Sequence, residues 1–296
     1  MTEEANTTTP ESVGDLREQL IGVDYLADRG LATATLIALR LGRPLLLEGE
    51  VGVGKTELAK CLALLTGREL IRLQCYEGID THQALYEWDY ARQMLHVRAL
   101  AEHELTDANT IGGLYSEEFL LERPLLRALR AGSRSVLLID EIDRADDEFE
   151  AFLLELLSDF QITIPEVGTV AAEGRPIVIL TSNRTRELHD ALKRRCLYHW
   201  IGYPTVDEET DIVKLRSPGV TDALTSKVVN AVHRLRDMDL VKPPGIAETL
   251  DWVQALGAIG ALEFEGETVV DTLGSVVKDR DDLELVSSDI SRLVDG

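Results

Sequence analysis

The chain has 296 residues, 30 of them basic and 53 acidic, which gives a formal net charge of −23. This length favours two packed units, because single domains have roughly 100–200 residues. A hydrophobic content of 45% excludes a wholly disordered chain. No apolar run approaches the roughly 18 residues of a membrane span. The acidic balance argues against a broad nucleic-acid interface, since phosphate binding needs a basic surface.

Residues 1–15 are polar and acidic, and they predict a disordered tail without the basic-then-apolar order of a signal peptide. The three cysteines, Cys61, Cys75 and Cys196, lie far apart and lack a C-x-x-C pairing. This pattern indicates a reduced, cytoplasmic protein with no disulfide or zinc framework. The excess of acid and the preference for arginine over lysine fit a high-salt cytoplasm and GC-rich coding about equally.

The first two thirds of the chain alternate between apolar strands and helices. A helix is predicted over residues 26–41, ended by Gly42 and Pro44. The run at 44–47, with the sequence PLLL, is apolar throughout, as expected of a strand buried on both faces of a parallel sheet. A helix follows at 55–65 and another around 149–157. Further strands are predicted at 69–73, 136–139, 177–180 and 197–201. This alternation favours a parallel α/β sheet.

The pattern changes at Pro204, after which only helices are predicted, at 206–216, 221–238, 246–261 and 267–278. We expect the acidic run 279–282 to be surface or frayed. The predicted organisation is therefore a tail at 1–15, an α/β core at 16–203 and a helical domain with an acidic C-terminal tail at 204–296. Within the core, residues 76–134 form a mixed, partly helical insert, and residues 160–170 form a hairpin.

Residues 49–56, with the sequence GEVGVGKT, satisfy the phosphate-loop pattern G-x-x-x-x-G-K-[ST]. Glycines allow backbone amides to turn around phosphate oxygens, and the following helix adds its N-terminal dipole. Lys55 would reach the β- and γ-phosphates, and the Thr56 hydroxyl would hold Mg²⁺. The alternative, a mere glycine turn, is disfavoured by the flanking strand and helix. The candidate binding residues are Gly49, Glu50, Val51, Gly52, Val53, Gly54, Lys55 and Thr56.

Polar side chains that could act on a nucleotide follow two of the later predicted strands. Asp140 and Glu141 come directly after the strand at 136–139, where an aspartate can hold the Mg²⁺ shell and a glutamate can polarise an attacking water. Asn183 follows the strand at 177–180 and could bond to the γ-phosphate or to the water. The alternatives are that the two acids only cap the next helix, and that Ser182 or Asn183 is a helix N-cap.

With these motifs the chain resembles an AAA+ ATPase, and within that class the MoxR family, especially its CoxD-related branch. The resemblance covers roughly residues 20–262. Besides the phosphate loop, it is carried by LLIDEIDRAD at 137–146, FQITIPEVGTV at 160–170, LTSNRTRELHDALKRRC at 180–196 and KPPGIAETLDW at 242–252.

The resemblance implies an AAA+ P-loop fold, with a sheet in the order 5-1-4-3-2 and a helical lid. It implies that ATP and Mg²⁺ are bound, that Asn183 is sensor 1, and that the subunits form a homo-oligomeric ring, mostly a hexamer. One of Arg194 and Arg195 would be the arginine finger that reaches a neighbouring subunit's nucleotide, and Arg195 is favoured. From the residues alone, the pair fits an exposed basic helix end better. The insert and the hairpin would face the ring pore or a client.

One segment departs from the family. The family commonly carries a sensor-2 arginine early in the third lid helix, whereas residues 245–249, GIAET, contain none. Turnover would then be slow, or another basic residue would substitute. The cluster at 86–90, YEWDY, is predicted either to pack the insert or to contact a client, with packing favoured.

The favoured function is an ATP-driven ring that remodels or matures a client protein, a metalloenzyme, together with a von Willebrand factor A-type partner, as the resemblance implies. A second hypothesis is a nucleic-acid motor or loader with the same core, which the acidic balance disfavours. A third is a nucleotide-gated scaffold with little turnover, suggested by the missing sensor-2 arginine and opposed by Glu141.

Overall fold

The computed structural model describes residues 10–101, 113–165, 167–261 and 263–294. These residues form two compact units. The first takes in the residues up to Leu16, Arg29–Glu48 and Ala59–His199; the second takes in Arg17–Asp28, Gly49–Leu58 and the residues from Trp200 onward. The chain therefore passes between the units more than once, and the division into a core ending at 203 and a lid beginning at 204 stays a prediction.

A five-stranded parallel sheet organises the first unit. Its strands are β1 (Leu45–Gly49), β2 (Glu69–Gln74), β5 (Ser135–Asp140), β8 (Ile177–Ser182) and β9 (Leu197–Ile201). They lie in the order β2-β5-β8-β1-β9. Numbered along the chain as five strands, this is the predicted order 5-1-4-3-2, which is confirmed. All residues of β1 and β5 are buried, which explains why their sequences are mostly apolar without alternation.

The helices around this sheet start close to where the sequence predicts. The helix predicted from residue 26 begins at Arg29 and ends at Leu41. The supposed tail is in part helical, because α1 begins at Val13, and its Leu16 and Leu20 are fully buried; residues 1–9 of that tail lie outside the described residues. The helices up to the phosphate loop and those beside the later strands are α1 (Val13–Ile21), α2 (Arg29–Leu41), α3 (Lys55–Thr66), α7 (Asp147–Asp159) and α8 (Asp190–Arg195).

The insert contains a small antiparallel strand pair that the sequence did not predict. Tyr86–Trp88 pairs with Leu120–Glu122, and three-residue strands are too short to show a period. Tyr86 and Trp88 are buried and stack edge to face, so packing is their role within the cluster at 86–90, whereas Tyr90 is exposed. The elements are α4 (Thr81–Leu85), β3 (Tyr86–Trp88), α5 (Tyr90–Ala101), β4 (Leu120–Glu122) and α6 (Pro124–Ala131).

A second strand pair, β6 (Gln161–Ile164) and β7 (Gly168–Ala171), is antiparallel and lies where the alternating sequence predicts a hairpin. It directly follows α7, whose C-cap residue Phe160 has left-handed backbone and is buried in the core of the first unit.

The second unit is helical beyond β9. Val228, Val232 and Leu235 are fully buried in its core, as their 3.6-residue spacing in the helix Asp222–Arg236 requires, and Trp252 of the helix Ile246–Ala258 is fully buried with them. None of the described helices combines the length and apolar character needed to cross a membrane. The helices are α9 (Val206–Arg216), α10 (Asp222–Arg236), α11 (Ile246–Ala258), α12 (Gly266–Thr272), α13 (Arg280–Ser287) and α14 (Ser291–Val294).

The expectation that residues 279–282 are surface or frayed holds only in part, because Arg280 and Asp281 are exposed but the segment begins α13 and Asp282 is buried. Asp279 caps α13, and its side chain accepts from the backbone of Asp281. Asp282 is buried and accepts from the backbone N–H groups of Val241 and Lys242, both at 2.9 Å. Carboxylates satisfy orphan donors at turns and helix starts, so a run of acids can be structural and need not form a solvated tail.

Candidate nucleotide site

The phosphate-loop residues belong to the second unit and link β1 to α3. Gly52 and Gly54 have φ values of +76° and +89°, which a side chain rarely adopts. Lys55 is only 6% exposed, and its Nζ donates to the carbonyl oxygens of Gly49 at 2.8 Å and Glu50 at 2.6 Å. The loop thus curls around an ammonium group at a helix N-terminus, an arrangement suited to phosphate oxygens.

The start of α11 packs against this loop inside the same unit. The carbonyl of Gly52 accepts from Ile246 N at 3.0 Å and from Ala247 N at 3.4 Å. A Cβ on Gly245 would lie 2.6 Å from the carbonyl oxygen of Val51, so only glycine fits there. Glu248 accepts from Gly245 N at 2.9 Å. At the place where the resemblance implies a sensor-2 arginine, this chain therefore has the backbone amides of Ile246 and Ala247 and the carboxylate of Glu248.

A buried ionic cluster in the second unit binds Arg236, a basic residue that could otherwise be considered as a substitute for the missing sensor-2 arginine. Glu209 is fully buried and accepts from Arg236 at 2.5 and 2.8 Å and from the Thr249 hydroxyl at 2.6 Å. Arg236 also donates to the carbonyl of Pro244, and its guanidinium lies 4.5 Å from the ring centre of Tyr203. Because Arg236 is committed to these partners, it does not replace the missing arginine in this arrangement.

Asp140 ends β5 in the first unit, where it is 2% exposed. Its Oδ2 accepts from Arg72 Nε at 3.0 Å and Nη2 at 2.5 Å, and its Oδ1 accepts from Thr181 Oγ1 at 2.5 Å. The guanidinium compensates a carboxylate that would be costly to bury alone. The helix-capping alternative fails for the side chains: Glu141 occupies the cap position of a short 3-10 turn at Ile142–Arg144 but makes no side-chain capping bond there, and Asp146 is the residue that caps α7, accepting from Phe149 N.

Glu141 turns its carboxylate toward the end of β8. Its backbone is left-handed, with φ 55°, and its N–H donates to Thr181 Oγ1 at 2.9 Å. The carboxylate accepts from Gln74 Nε2 at 3.1 Å and pairs with Arg144 Nε at 2.8 Å. Asn183 Nδ2 lies 3.5 Å from Glu141 Oε1. The structure therefore brings together the two residues that the sequence assigns to the water and the sensor.

Asp143 holds the loop that carries Asn183. It is 2% exposed and accepts from Asn183 N at 3.2 Å, Thr185 N at 2.9 Å and Thr185 Oγ1 at 2.7 Å. The N-cap alternative for Ser182 and Asn183 is wrong, because the next helix begins at Asp190 with His189 at its cap position. The conformation of the loop comes from a carboxylate 40 residues earlier in the chain.

The acids at the end of β5 create a strongly negative environment. Burial, together with the charges of Asp140, Asp143 and Glu141, raises the pKa of the Cys75 thiol to about 12. Within the described residues, no group of three or more His, Cys, Asp or Glu side chains could hold a metal ion by itself. Mg²⁺ needs no such cage, because it binds through one or two protein oxygens and the phosphates. The hydroxyl of Thr56 and the carboxylate of Asp140 are of the hard oxygen type that it prefers.

The two candidate finger residues end the short helix α8 in the first unit. Both Arg194 and Arg195 are exposed. The Arg195 guanidinium donates to Ser158 Oγ on α7. The carbonyls of both residues accept from Arg43 Nη2, at 3.1 and 3.0 Å.

A family model described as "AAA domain (dynein-related subfamily)" matches residues 44–196, more than half of the chain and the span from β1 to the end of α8. The chain belongs to this AAA family. Its relatives include SH1500 of Staphylococcus haemolyticus, an uncharacterized protein that is 26% identical over 73% of this chain and 76% of its own length.

Two other relatives of this AAA chain are longer proteins. YehL of Escherichia coli K12 is 29% identical over 68% of this chain, and the match spans 53% of YehL. ClpL of Staphylococcus aureus, named as an ATP-dependent Clp protease ATP-binding subunit, is 31% identical over 57% of this chain and 22% of its own length. Among solved structures, RuvB of Thermotoga maritima aligns over 97% of this chain and 80% of its own, with 17% identity and a TM-score of 0.49.

Sequence reasoning about the AAA domain missed four supporting residues, namely Arg43, Arg72, Gln74 and Asp143. Each lies near a recognised element, but none belongs to the phosphate-loop pattern or to the acid pair. Asp143 lies in the DEIDRAD block, whose cluster of acids could have indicated a second role besides that of Asp140. The other three gave no signal, because their partners are distant in the chain.

Proposed function

We propose that the protein is a Mg²⁺-dependent ATPase of the AAA+ class. The observation that carries the proposal is the meeting of Glu141 with Asn183 at the carboxyl ends of β5 and β8. Strand β1, which leads into the phosphate loop, pairs with β8, with Glu48 beside Ser182. Ligands of open parallel sheets bind at this edge, outside the carboxyl ends of adjacent strands.

Each residue then has a definite task. The loop amides and Lys55 bind the phosphates, and the Thr56 hydroxyl and the Asp140 carboxylate would hold Mg²⁺, which neutralises charge on the phosphate oxygens when bound. Glu141 orients the attacking water and accepts its proton. Asn183 holds the water or the γ-phosphate in line. Arg72 and Thr181 fix the direction of the Asp140 carboxylate through their hydrogen bonds.

We further propose a homo-oligomeric ring, a hexamer, in which Arg195 or Arg194 of one subunit completes the neighbouring site. An arginine that arrives with a neighbour supplies charge where it develops on the transferring oxygens. The MoxR family and its CoxD-related branch remain our assignment within the class. With them come a cytoplasmic location, a chaperone-like action on a metalloenzyme client and a von Willebrand factor A-type partner. The similarity to ClpL supports an action on other proteins.

A second candidate is a nucleotide-gated scaffold with little turnover. It is favoured by the contacts of Gln74 and Arg144 with the Glu141 carboxylate, because a glutamate bound to two donors is less free to turn toward the attacking water. The lack of a sensor-2 arginine in residues 245–249 favours it as well.

The first experiment compares ATP binding and steady-state hydrolysis in the wild type, Glu141→Gln and Lys55→Ala. Glu141→Gln should bind ATP normally and lose turnover, because only the base is removed. Lys55→Ala should lose affinity by roughly tenfold to hundredfold, corresponding to a charge-assisted contact of about 1.5–3 kcal/mol. Lys60→Ala, an exposed lysine on the same helix, is the control.

Wild-type turnover by Glu141→Gln would show that the base is assigned wrongly, and unchanged affinity in Lys55→Ala would overturn the phosphate-loop assignment. Barely measurable turnover in the wild type, with tight ATP binding, would favour the scaffold. A hydrolysis rate that rises strongly with added DNA would favour a nucleic-acid motor.

The ring is tested by mixing inactive variants. Arg195→Ala subunits keep the base, and Glu141→Gln subunits keep the finger. Activity should partly return in mixed assemblies, because some interfaces then hold both groups. If mixed assembly is shown by cross-linking and no activity returns, Arg195 is not the finger, and Arg194→Ala is tested in the same way.

A further inference from the structure

Arg43 lies between the end of α2 and the start of β1, a few residues before the phosphate loop. Its Nη2 donates to three successive backbone carbonyls, those of Arg194 at 3.1 Å, Arg195 at 3.0 Å and Cys196 at 3.3 Å. The adjoining Pro44 carbonyl accepts from Leu197 N at 2.8 Å. One guanidinium therefore binds the end of α8 at the two residues that are candidate fingers.

The contact has a clear physical basis. The last carbonyls of a helix have no partner within the helix and carry partial negative charge. A planar guanidinium is the side chain best suited to bind several such oxygens at once. Burial raises the pKa of Cys196 to about 12, and the positive charges of Arg43 and Arg195 act in the opposite direction, as expected for two cations close to this turn.

The other end of α8 is held as well. His189 N donates at 2.9 Å to Glu150 Oε2, and Glu150 is 1% exposed and paired with Arg186. A helix of only six residues has little stability of its own, so it depends on these two anchors together with the burial of Leu192 in the core of the first unit and the bond from Arg195 to Ser158. Since side-chain direction follows the helix backbone, the anchor at the C-terminal end sets where Arg194 and Arg195 point.

We infer that Arg43 is the positioning residue for the arginine finger, fixing the carbonyl end of α8 so that the finger projects correctly toward a neighbouring subunit. This inference rests on the proposed ring ATPase. In this proposal Arg43 affects ATP turnover through the position of the finger. Its loss should therefore impair hydrolysis in the neighbouring subunit's site and leave ATP binding in its own subunit unchanged.

In Arg43→Ala, ATP affinity should stay within about twofold of wild type, while kcat falls roughly tenfold to hundredfold, the cost of misplacing a catalytic group by about 1 Å. The matched control is Arg40→Ala. Arg40 also donates to backbone carbonyls, those of Glu11 at 2.5 Å and Pro10 at 3.4 Å, but these lie in the N-terminal segment. Its loss should leave kcat unchanged.

Subunit mixing distinguishes a finger defect from a general structural one. Arg43→Ala mixed with Glu141→Gln should regain activity, because the first subunit brings an intact base and the second an intact finger. Arg43→Ala mixed with Arg195→Ala should gain nothing, since no interface then holds a well-placed finger. The reverse pattern, or gain in neither mixture, would overturn the inference.

The reference mixture of Glu141→Gln with Arg195→Ala separates this inference from the proposed function. If that pair fails, and the pair with Arg194→Ala fails too, the trans finger is wrong and the role of Arg43 falls with it. If a reference pair regains activity, and Arg43→Ala regains activity with Arg195→Ala but not with Glu141→Gln, only the inference about Arg43 fails. Should Arg43→Ala fold poorly, Arg43→Lys is used in the same mixtures. It keeps the positive charge, so its kcat should fall less, and it should regain activity with Glu141→Gln but not with Arg195→Ala.

Discussion

Removing the carboxylate of Asp143 should damage both the stability and the catalysis of the first unit. In Asp143→Ala, the backbone N–H groups of Asn183 and Thr185 and the Thr185 hydroxyl lose their acceptor. Hydrogen bonds to a charged group contribute about 1.5–3 kcal/mol each. Thr185 is exposed, so water replaces part of what is lost, and we expect a decrease of about 2–4 kcal/mol in the free energy of unfolding.

The catalytic consequence follows from Asn183. With its loop released, the Asn183 amide no longer stays beside Glu141, so kcat should fall by roughly tenfold or more while ATP affinity changes little. Urea denaturation gives the stability, and steady-state hydrolysis at saturating ATP gives kcat. Asp143→Asn keeps the shape of the side chain but turns an N–H₂ donor toward the loop's donors, so it should lose about 1–2 kcal/mol.

Asp147→Ala is the control for both measurements. Its side chain is 72% exposed and makes surface ion pairs with Arg186 and His189, which contribute about 0–1 kcal/mol. If Asp143→Ala is no less stable than Asp147→Ala, the carboxylate does not organise the loop. If it is less stable but hydrolyses ATP at the wild-type rate, the loop geometry does not matter for catalysis.

Two further predictions concern buried groups. Glu209→Ala should lower the free energy of unfolding by about 3–5 kcal/mol in urea, because it leaves the buried Arg236 without its carboxylate; the exposed Asp211→Ala should change it by less than about 0.5 kcal/mol, and equal effects would show that the cluster is unimportant. Native Cys75, with its pKa raised to about 12, should not react with a thiol reagent at pH 8 but should react in urea, and rapid native labelling would contradict its burial. Because the folded state holds this thiol proton more tightly than the unfolded chain, whose thiol pKa is about 8.5, stability should be complete below that value and decline as the pH rises toward 12.

Much of the fold follows from short stretches of sequence. The apolar runs at Leu45–Leu47 and Val136–Ile139 predict strands buried on both faces, and the structure has them there. The phosphate loop is equally local, because its glycines, Lys55 and the start of α3 are neighbours in the chain. Where the chemistry depends on adjacent residues, sequence patterns are sufficient to identify it.

Tertiary structure decided everything that depends on distant partners. Arg43 binds carbonyls about 150 residues away, and Gln74 reaches Glu141 across 67 residues. The exposure of charged side chains also could not be predicted from composition. Asp282, in the acidic run 279–282, is buried and accepts from the backbone N–H groups of Val241 and Lys242. A charge in a sequence tells only that a group needs solvation. Whether water, a guanidinium or a backbone amide provides it is settled when the chain packs.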